Sequence, residues 1–373
     1  MGRYDTIIVG AGYSGMAAAA QMPGRRLLVL ERHDSVVSKH RGFLGFLLPL
    51  GEKVDVRGED LFLRGLDLLV EGGVRQKFAR IRIRGFKERL DIRLRKPLIL
   101  LNESRLKGAL LRRIRENGAE VVVGSAVRDV DTSGKEAKVR TDTEHTARIL
   151  IGADGVGSVV ARSLRFKREK LAILFQREVE IKRLEVPRET LFLQIDDARN
   201  LFFAFPFGDR YLASVIQIIG PREVPEDLET RLTDKVERLG ADRVLNARGA
   251  VVRLYSPSSM SHRSNIVLTG DALASYGFST IGGALAMGTL AGKSANRFLA
   301  GSRYALPDYH DNWRKVSSQR AIERMRLVAP FLGRITTDRV DKVLKAAAGS
   351  GKAQSIGPGF LRRLPAVLVS LFV

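Results

Sequence analysis

The chain has 373 residues, enough to bury a large core and to divide into two lobes. It contains no cysteine, which excludes disulfides, thiolate catalysis and cysteine-ligated metal or iron–sulfur sites. A formal net charge of +22 points to polyanionic partners, nucleic acid or anionic lipid. No helix-turn-helix, zinc module or RNA-recognition signature accompanies that charge, so no specific nucleic-acid partner is expected. The five histidines, His33, His40, His145, His262 and His310, lack metal-ligand spacing; they read as surface or capping residues, and no metal site is expected. No leader peptide is expected, because Met1 runs almost directly into an apolar segment, and no apolar run is long enough to span a bilayer.

In chain order, residues 4–9 form a short apolar run suited to a buried parallel strand. Gly10-Ala11-Gly12-Tyr13-Ser14-Gly15 follows at once, and residues 16–20 read as helix. Glycines at these spacings allow a tight turn, a close backbone approach to a pyrophosphate and close helix–strand packing, with the phosphates at the helix N-terminus. Residues 27–30 form a second apolar run that ends at Glu31, an acid placed to hydrogen-bond ribose hydroxyls. Alone, this motif fits either FAD or NAD. Further on, Arg80, Arg82 and Arg84 alternate with Ile81 and Ile83, and Arg93 and Arg95 with Ile92 and Leu94. Joined around residues 85–88, these runs predict a hairpin with one apolar and one arginine face, either a solvated outer face or a contact for lipid phosphates.

Asn102-Glu103-Ser104-Arg105-Leu106 opens a predicted helix that ends at Asn117-Gly118. Residues 147–153 are an apolar strand running into the Asp154-Gly155 turn, with Ser158 and Arg162 behind it. Residues 171–261 are rich in alternating strands, predicted at 175–181, 191–195, 201–205 and 211–218, then a helix at 226–239 and a strand at 250–255. A strand at 264–269 leads to Gly270-Asp271, a glycine-containing segment and a helix at 284–299. Residues 303–348 read as helices and 349–359 as a flexible linker, because Gly349-Ser350-Gly351 and Gly357-Pro358-Gly359 interrupt it. The chain closes with Phe360-Leu361-Arg362-Arg363-Leu364-Pro365 and eight mostly apolar residues, a segment suited to an interfacial anchor with a basic collar or to burial in the core or a partner groove.

The three glycine motifs in this order narrow the choice to one bound flavin dinucleotide. Asp154-Gly155 after its Ile-Gly-Ala strand resembles the Asp-Gly motif of the p-hydroxybenzoate-hydroxylase-fold flavoproteins, and Gly270-Asp271 resembles their Gly-Asp motif. A closer resemblance is to geranylgeranyl reductases, the branch that saturates isoprenoid chains of archaeal lipids. It rests on Arg105 in the helix after Asn102, on the segment Phe203-Ala204-Phe205-Pro206-Phe207-Gly208-Asp209, on the helix Ala284-Leu285-Ala286-Met287-Gly288-Thr289-Leu290-Ala291-Gly292, and on Tyr309 and Trp313. The resemblance spans the chain to about residue 344. It implies an α/β protein, α+β overall. A Rossmann-like FAD-binding domain (residues 1–167 with 264–300) would carry an inserted, mostly antiparallel β-sheet substrate domain (168–263) and C-terminal helices (301–348), followed by a linker and tail (349–373).

The same resemblance implies FAD contacts from Gly10, Gly12, Tyr13, Ser14, Gly15, Glu31, Arg32, Arg41, Arg105, Val127, Asp154, Gly155, Gly270, Asp271, Gly282 and Gly283. Phe203, Phe205, Tyr276 and Phe278 become candidate walls of an apolar substrate tunnel, with ordinary core packing as the alternative. Electrons would come from NAD(P)H or from a protein such as ferredoxin. The expected place of action is cytoplasmic, peripheral on the membrane face, with an apolar lipid substrate. The chain departs from the family in three places. Leu201 and Phe203 stand where the family has tyrosine and tryptophan. The loop after Asp271 is shorter and lacks a proline, and no cysteine occurs between His40 and Gly45. Oxygen chemistry on the same fold, hydroxylation or epoxidation, therefore stays open beside alkene reduction. A halogenase would want tryptophans at Phe203 and Phe205 and a catalytic lysine, with Lys77 as its candidate. A flavin-free lipid or polyanion adaptor is the reading from another class, and the intact glycine motifs count against it.

Overall fold

The computed structural model describes residues 2–37, 46–47, 54–132, 134–165, 171–181, 186–195, 200–207, 210–219, 227–253, 261–273 and 280–316, with 338, 341 and 345. Arg41, Tyr276, Phe278 and the C-terminal tail lie outside the described residues.

Leu27–Leu30 and the second half of Gly2–Val9, Ile7 to Val9, are apolar on successive residues and buried on both faces, as a central parallel sheet requires. Gly2–Val9 pairs in parallel with Leu27–Leu30 on one side and with Glu144–Gly152 on the other. Glu120–Val122 extends the sheet beyond Leu27–Leu30, and Ile266–Leu268 runs parallel to the end of Glu144–Gly152. The register aligns Val9 with both Leu30 and Gly152, Leu30 with Val122, and Gly152 with Leu268. These five strands thus end together at one edge. Asp129–Asp131 and Ala137–Arg140 complete the sheet as antiparallel strands on the first half of Glu144–Gly152.

Helix Tyr13–Ala20 follows the first strand, and all eight of its residues are buried. It is covered by helix Thr280–Leu299, where small residues set the distance. A Cβ on Gly288 would stand 2.1 Å from the Ser14 carbonyl oxygen, and one on Gly292 2.2 Å from that of Ala18. Helix Glu103–Glu116 starts at Asn102, whose side chain accepts from the Arg105 amide, and ends with Arg113 and Arg115, which suit the negative end of the helix dipole. It buries Leu106, Ala109, Leu110 and Ile114 on one face. Helix Ala305–Val316 packs on Thr280–Leu299, and its Tyr309 hydroxyl donates to the Leu268 carbonyl at 2.7 Å.

The second sheet runs in the order Ala241–Arg253, Leu171–Ile181, Arg210–Ile219, Asn200–Phe207, Thr190–Ile195, Val74–Arg84, Arg89–Leu101 and Phe46–Leu47. Every neighbour is antiparallel except the Thr190–Ile195 and Val74–Arg84 pair. Helix Leu228–Arg238 covers one face, setting Leu228, Leu232 and Val236 against Val179, Phe192, Phe202, Ala213 and Val215. The fold is the expected α/β architecture. The arginine hairpin forms as expected but belongs to this second sheet rather than to the nucleotide-binding part, because Thr190–Ile195 hydrogen-bonds along Val74–Arg84. The strand expected at 250–255 begins at Ala241. A smaller sheet of Val54–Arg57, Asp60–Leu63 and Leu68–Val70 completes the strands.

Candidate nucleotide-binding site

The shared strand edge gathers the sequence motifs. In open α/β sheets, ligands bind outside the carboxyl ends of the strands. Here Gly10 follows Val9, Glu31 follows Leu30, the Asp154 turn follows Gly152 and Gly270 follows Leu268 within two residues. Gly10 has φ +100°, and a Cβ there would meet the Ala153 carbonyl oxygen at 2.5 Å, so the glycine loop lies directly on the Asp-Gly turn. A Cβ on Gly270 would stand 2.3 Å from Ser14 Oγ, so the third motif abuts the first helix turn. Gly15 is equally enclosed: its Cβ would lie 1.9 Å from the Gly10 carbonyl oxygen.

A cavity opens at this edge. Gly10, Gly12, Leu30, Glu31, Arg32, Ser125 to Val127, Asp154, Gly157 and Val159 line it. Glu31 is buried, and its carboxylate accepts from the Ala11 amide at 3.0 Å and from the His33 amide at 3.1 Å. It therefore ties the glycine loop to the end of the second strand. Helix Tyr13–Ala20 starts at Gly12 without a side-chain cap, which leaves its first amides facing the loop, the arrangement that favours an anion. Asp154 both lines the cavity and caps the following turn. Its carboxylate accepts from Ser158 Oγ at 2.5 Å and from the Val159 amide at 2.7 Å. Burial raises the Asp154 carboxyl above the usual aspartate range, and the hydrogen bonds from Ser158, Val159 and Val160 oppose that rise.

The residues fit the adenosine-diphosphate half of FAD. A carboxylate stands where a ribose would lie, glycine backbone and uncapped amides stand where phosphates would lie, and Val9, Leu30 and Val127 supply apolar wall. Of the expected contacts, Gly10, Gly12, Glu31, Arg32, Val127 and Asp154 meet around the cavity. Ser125, Ala126, Gly157 and Val159 join them without having been anticipated. Gly155 and Gly270 shape the turns, with φ +80° and +59°. Asp271 sits in the short 3-10 turn Gly270–Ala272, and Gly282 and Gly283 are buried in the first turns of Thr280–Leu299.

Arg105, in helix Glu103–Glu116, does not line this cavity; it is exposed, with its Nε 4.0 Å from where a Gly72 Cβ would stand. The side chains of that helix that turn toward the glycine loop are Glu103 and Lys107. Glu103 Oε2 accepts from the Tyr13 hydroxyl at 2.7 Å and lies 3.7 Å from Lys107 Nζ, which stands 5.5 Å from the Tyr13 ring centroid. All three are buried. An acid and a lysine four apart on the apolar face of an amphipathic helix were the available signal. Phe203 and Phe205 are buried, nearly parallel at 6.3 Å, and Phe78 meets Phe205 edge-on at 5.5 Å. Lys77 is exposed. Two of the histidines are more than surface residues. His262 and His310 pair across strand His262–Arg263 and helix Ala305–Val316, with ring centroids 6.4 Å apart.

No protein-family model matches the chain. Among solved structures, it is similar to a geranylgeranyl bacteriochlorophyll reductase-like protein from Thermoplasma acidophilum, with 19% identity, a TM-score of 0.68, and 92% of this chain and 91% of the other covered. It is also similar to the myxobacterial chondrochloren halogenase, a variant of FAD-dependent halogenases, with 18% identity, a TM-score of 0.64 and coverage of 88% and 82%. Aklavinone-11 hydroxylase, solved with FAD and aklavinone, matches at 17% identity and a TM-score of 0.62, over 87% of this chain and 68% of its own. At these identities the likeness is one of fold: a Rossmann-like sheet, a second largely antiparallel sheet and C-terminal helices.

Proposed function

We propose that the chain is an FAD-dependent oxidoreductase that reduces carbon–carbon double bonds in the isoprenoid chain of a lipid or lipid precursor. The observation that carries the flavin reading is the junction of three motifs at one edge: Gly10 against Ala153 and Gly270 against Ser14, around a cavity bordered by Glu31. FAD bound there would supply two-electron redox chemistry to an apolar substrate. Glu31 would orient the adenosine ribose while fixing the loop through Ala11. The amides at the start of Tyr13–Ala20 would take the pyrophosphate, and Arg32 at the rim would add positive charge. Phe78, Phe203 and Phe205 form an apolar aromatic cluster in the second sheet, suited to an isoprenoid chain. NAD(P)H or a ferredoxin-like protein is proposed as the donor.

The named structures support a second reading, because a hydroxylase and a halogenase also share this fold, at TM-scores of 0.62 and 0.64. Anaerobic photoreduction of the purified protein, followed by addition of a geranylgeranyl lipid, separates the two. Reduction predicts reoxidation by the lipid and a gain of two hydrogens per saturated bond. Reoxidation only in oxygen, with an oxygen atom in the product, establishes the hydroxylase reading instead. A colourless protein that FAD does not reconstitute overturns both.

A further inference from the structure

The hairpin formed by Val74–Arg84 and Arg89–Leu101 ends in a turn closed by a hydrogen bond from the Gly85 amide to the Glu88 carbonyl. At its tip Phe86 is 71% exposed. Behind the tip, cross-strand register places Arg80 opposite Arg93, Arg82 opposite Asp91 and Arg84 opposite Arg89, all on one face. The other face, Ile81, Ile83, Leu90 and Ile92, is buried. Like charges directly opposite each other destabilise an antiparallel pair. The hairpin nevertheless carries two such arginine pairs, and a single carboxylate, Asp91, stands among the five guanidinium groups, 2.7 Å from Arg82 and 3.8 Å from Arg89. Only the Arg82–Asp91 pair attracts; the two arginine pairs add nothing to folding, and the exposed aromatic ring at the tip gains nothing from water.

The tip is also held in place. Asp341, which is buried, accepts from the Lys87 amide at 2.9 Å and from the Glu88 amide at 3.2 Å. Asp341 therefore fixes the backbone of the hairpin turn. An exposed apolar tip with a cationic face behind it matches the layers of a bilayer surface: hydrocarbon boundary and phosphate headgroups.

We propose that this hairpin is the docking element for a membrane surface containing anionic lipid, with Phe86 entering the acyl boundary and Arg80, Arg84 and Arg93 binding headgroup phosphates. The inference stands apart from the flavin reading, since vesicle binding is measured on the full chain whether or not it holds flavin. The test uses vesicles of phosphatidylcholine with and without phosphatidylglycerol. Binding should rise with phosphatidylglycerol and fall with salt. Phe86→Ser should weaken it about tenfold or more, and Arg80→Gln/Arg84→Gln/Arg93→Gln about a hundredfold. In Phe86→Trp the new indole should shift to the blue and be quenched by brominated lipid, while Trp313, 1% exposed, stays unquenched. Vesicle binding with the Phe86→Trp emission unchanged would assign contact to another segment and overturn the proposal. So would equal binding to neutral vesicles, undiminished binding of Phe86→Ser, or capture of the protein by duplex DNA and not by vesicles.

Discussion

The Tyr13 hydroxyl donates to Glu103 Oε2 at 2.7 Å, joining the glycine-rich loop to the first turn of the helix Glu103–Glu116. Lys107 lies 3.7 Å from the same carboxylate oxygen, and neither side chain of the ion pair is more than 6% exposed. Removing one member of a buried pair leaves the other charge desolvated, at a cost of about 3–5 kcal/mol, whereas replacing both with apolar residues of similar size costs far less. Glu103→Leu should therefore lower stability in urea more than Glu103→Leu/Lys107→Met does. A double variant that loses as much as the sum of the singles would show that the pair is not coupled. Tyr13→Phe removes one hydrogen bond to a charged group and should lose about 1.5–3 kcal/mol.

Glu31 makes a second link within the same site. Its carboxylate holds the Ala11 amide and faces the cavity, so it serves loop and nucleotide together. Glu31→Gln keeps the shape and removes the charge. Its FAD dissociation constant should rise about ten- to a hundredfold, the loss of one charge-assisted hydrogen bond, and the melting temperature of the flavin-free protein should fall modestly, because the carboxamide cannot accept from both the Ala11 and the His33 amides. Glu31→Ala should raise the dissociation constant as well and lower the melting temperature further. Unchanged FAD affinity in both variants, measured by fluorescence titration, would remove Glu31 from the site.

Much of this was legible in the sequence, and each failure has a physical reason. The glycine motifs could be read because a positive φ at Gly10 and a carbonyl 1.9 Å from the Gly15 Cβ position leave little choice of residue. The arginine hairpin could be read because strand side chains alternate with period two. Its sheet could not be read, because parallel pairing with Thr190–Ile195 is non-local and leaves no mark on the hairpin itself. Strand Ala241–Arg253 was half missed: it is the sheet's edge, carries Asp242, Arg243 and Arg248, and its pairing slips twice near Val179 and Ile181, which blurs alternation. The buried pair Glu103 and Lys107 is legible in the helical period, since 103, 106, 107 and 110 share the buried face.

Two glycines in helices should respond oppositely to alanine. At Gly288 a Cβ would press on the Ser14 backbone from 2.1 Å, and backbone cannot rotate away. Helix Thr280–Leu299 must then lift from Tyr13–Ala20, at about 1–3 kcal/mol for an overpacked contact, and FAD should bind more weakly because Ser14 lies in the helix turn that would meet the phosphates. At Gly108 a Cβ would meet nothing nearer than Arg112 Nη1 at 3.9 Å. Gly108→Ala should gain about 0.5–1 kcal/mol from helix propensity. Thermal melts of the two variants check both signs, and a neutral Gly288→Ala would mean that the two helices are not in close contact.

Acid should loosen the C-terminal helix. His262 is partly buried, and burial first and His310 second hold its imidazole below the usual histidine range. Among the described residues its Nδ1 has no hydrogen-bond partner, so the neutral ring is the form the fold accepts. A lowered folded-state value means that its contribution to stability is complete above the unfolded value of about 6.5 and is lost as pH falls through the folded value. Asp154 works in the opposite sense: its value is raised, so its contribution is complete below about 3.9 and declines as pH rises through the folded value. It cannot imitate a loss on acidification. Melting temperature should therefore fall between pH 7.5 and 5 more steeply in the native protein than in His262→Gln. Helix Ala305–Val316 carries His310, and its Tyr309 is bonded to Leu268, two residues before Gly270. Loosening there should also speed flavin release in acid. Parallel melting curves for the two proteins across that range would show that the histidine pair does not govern the docking of this helix.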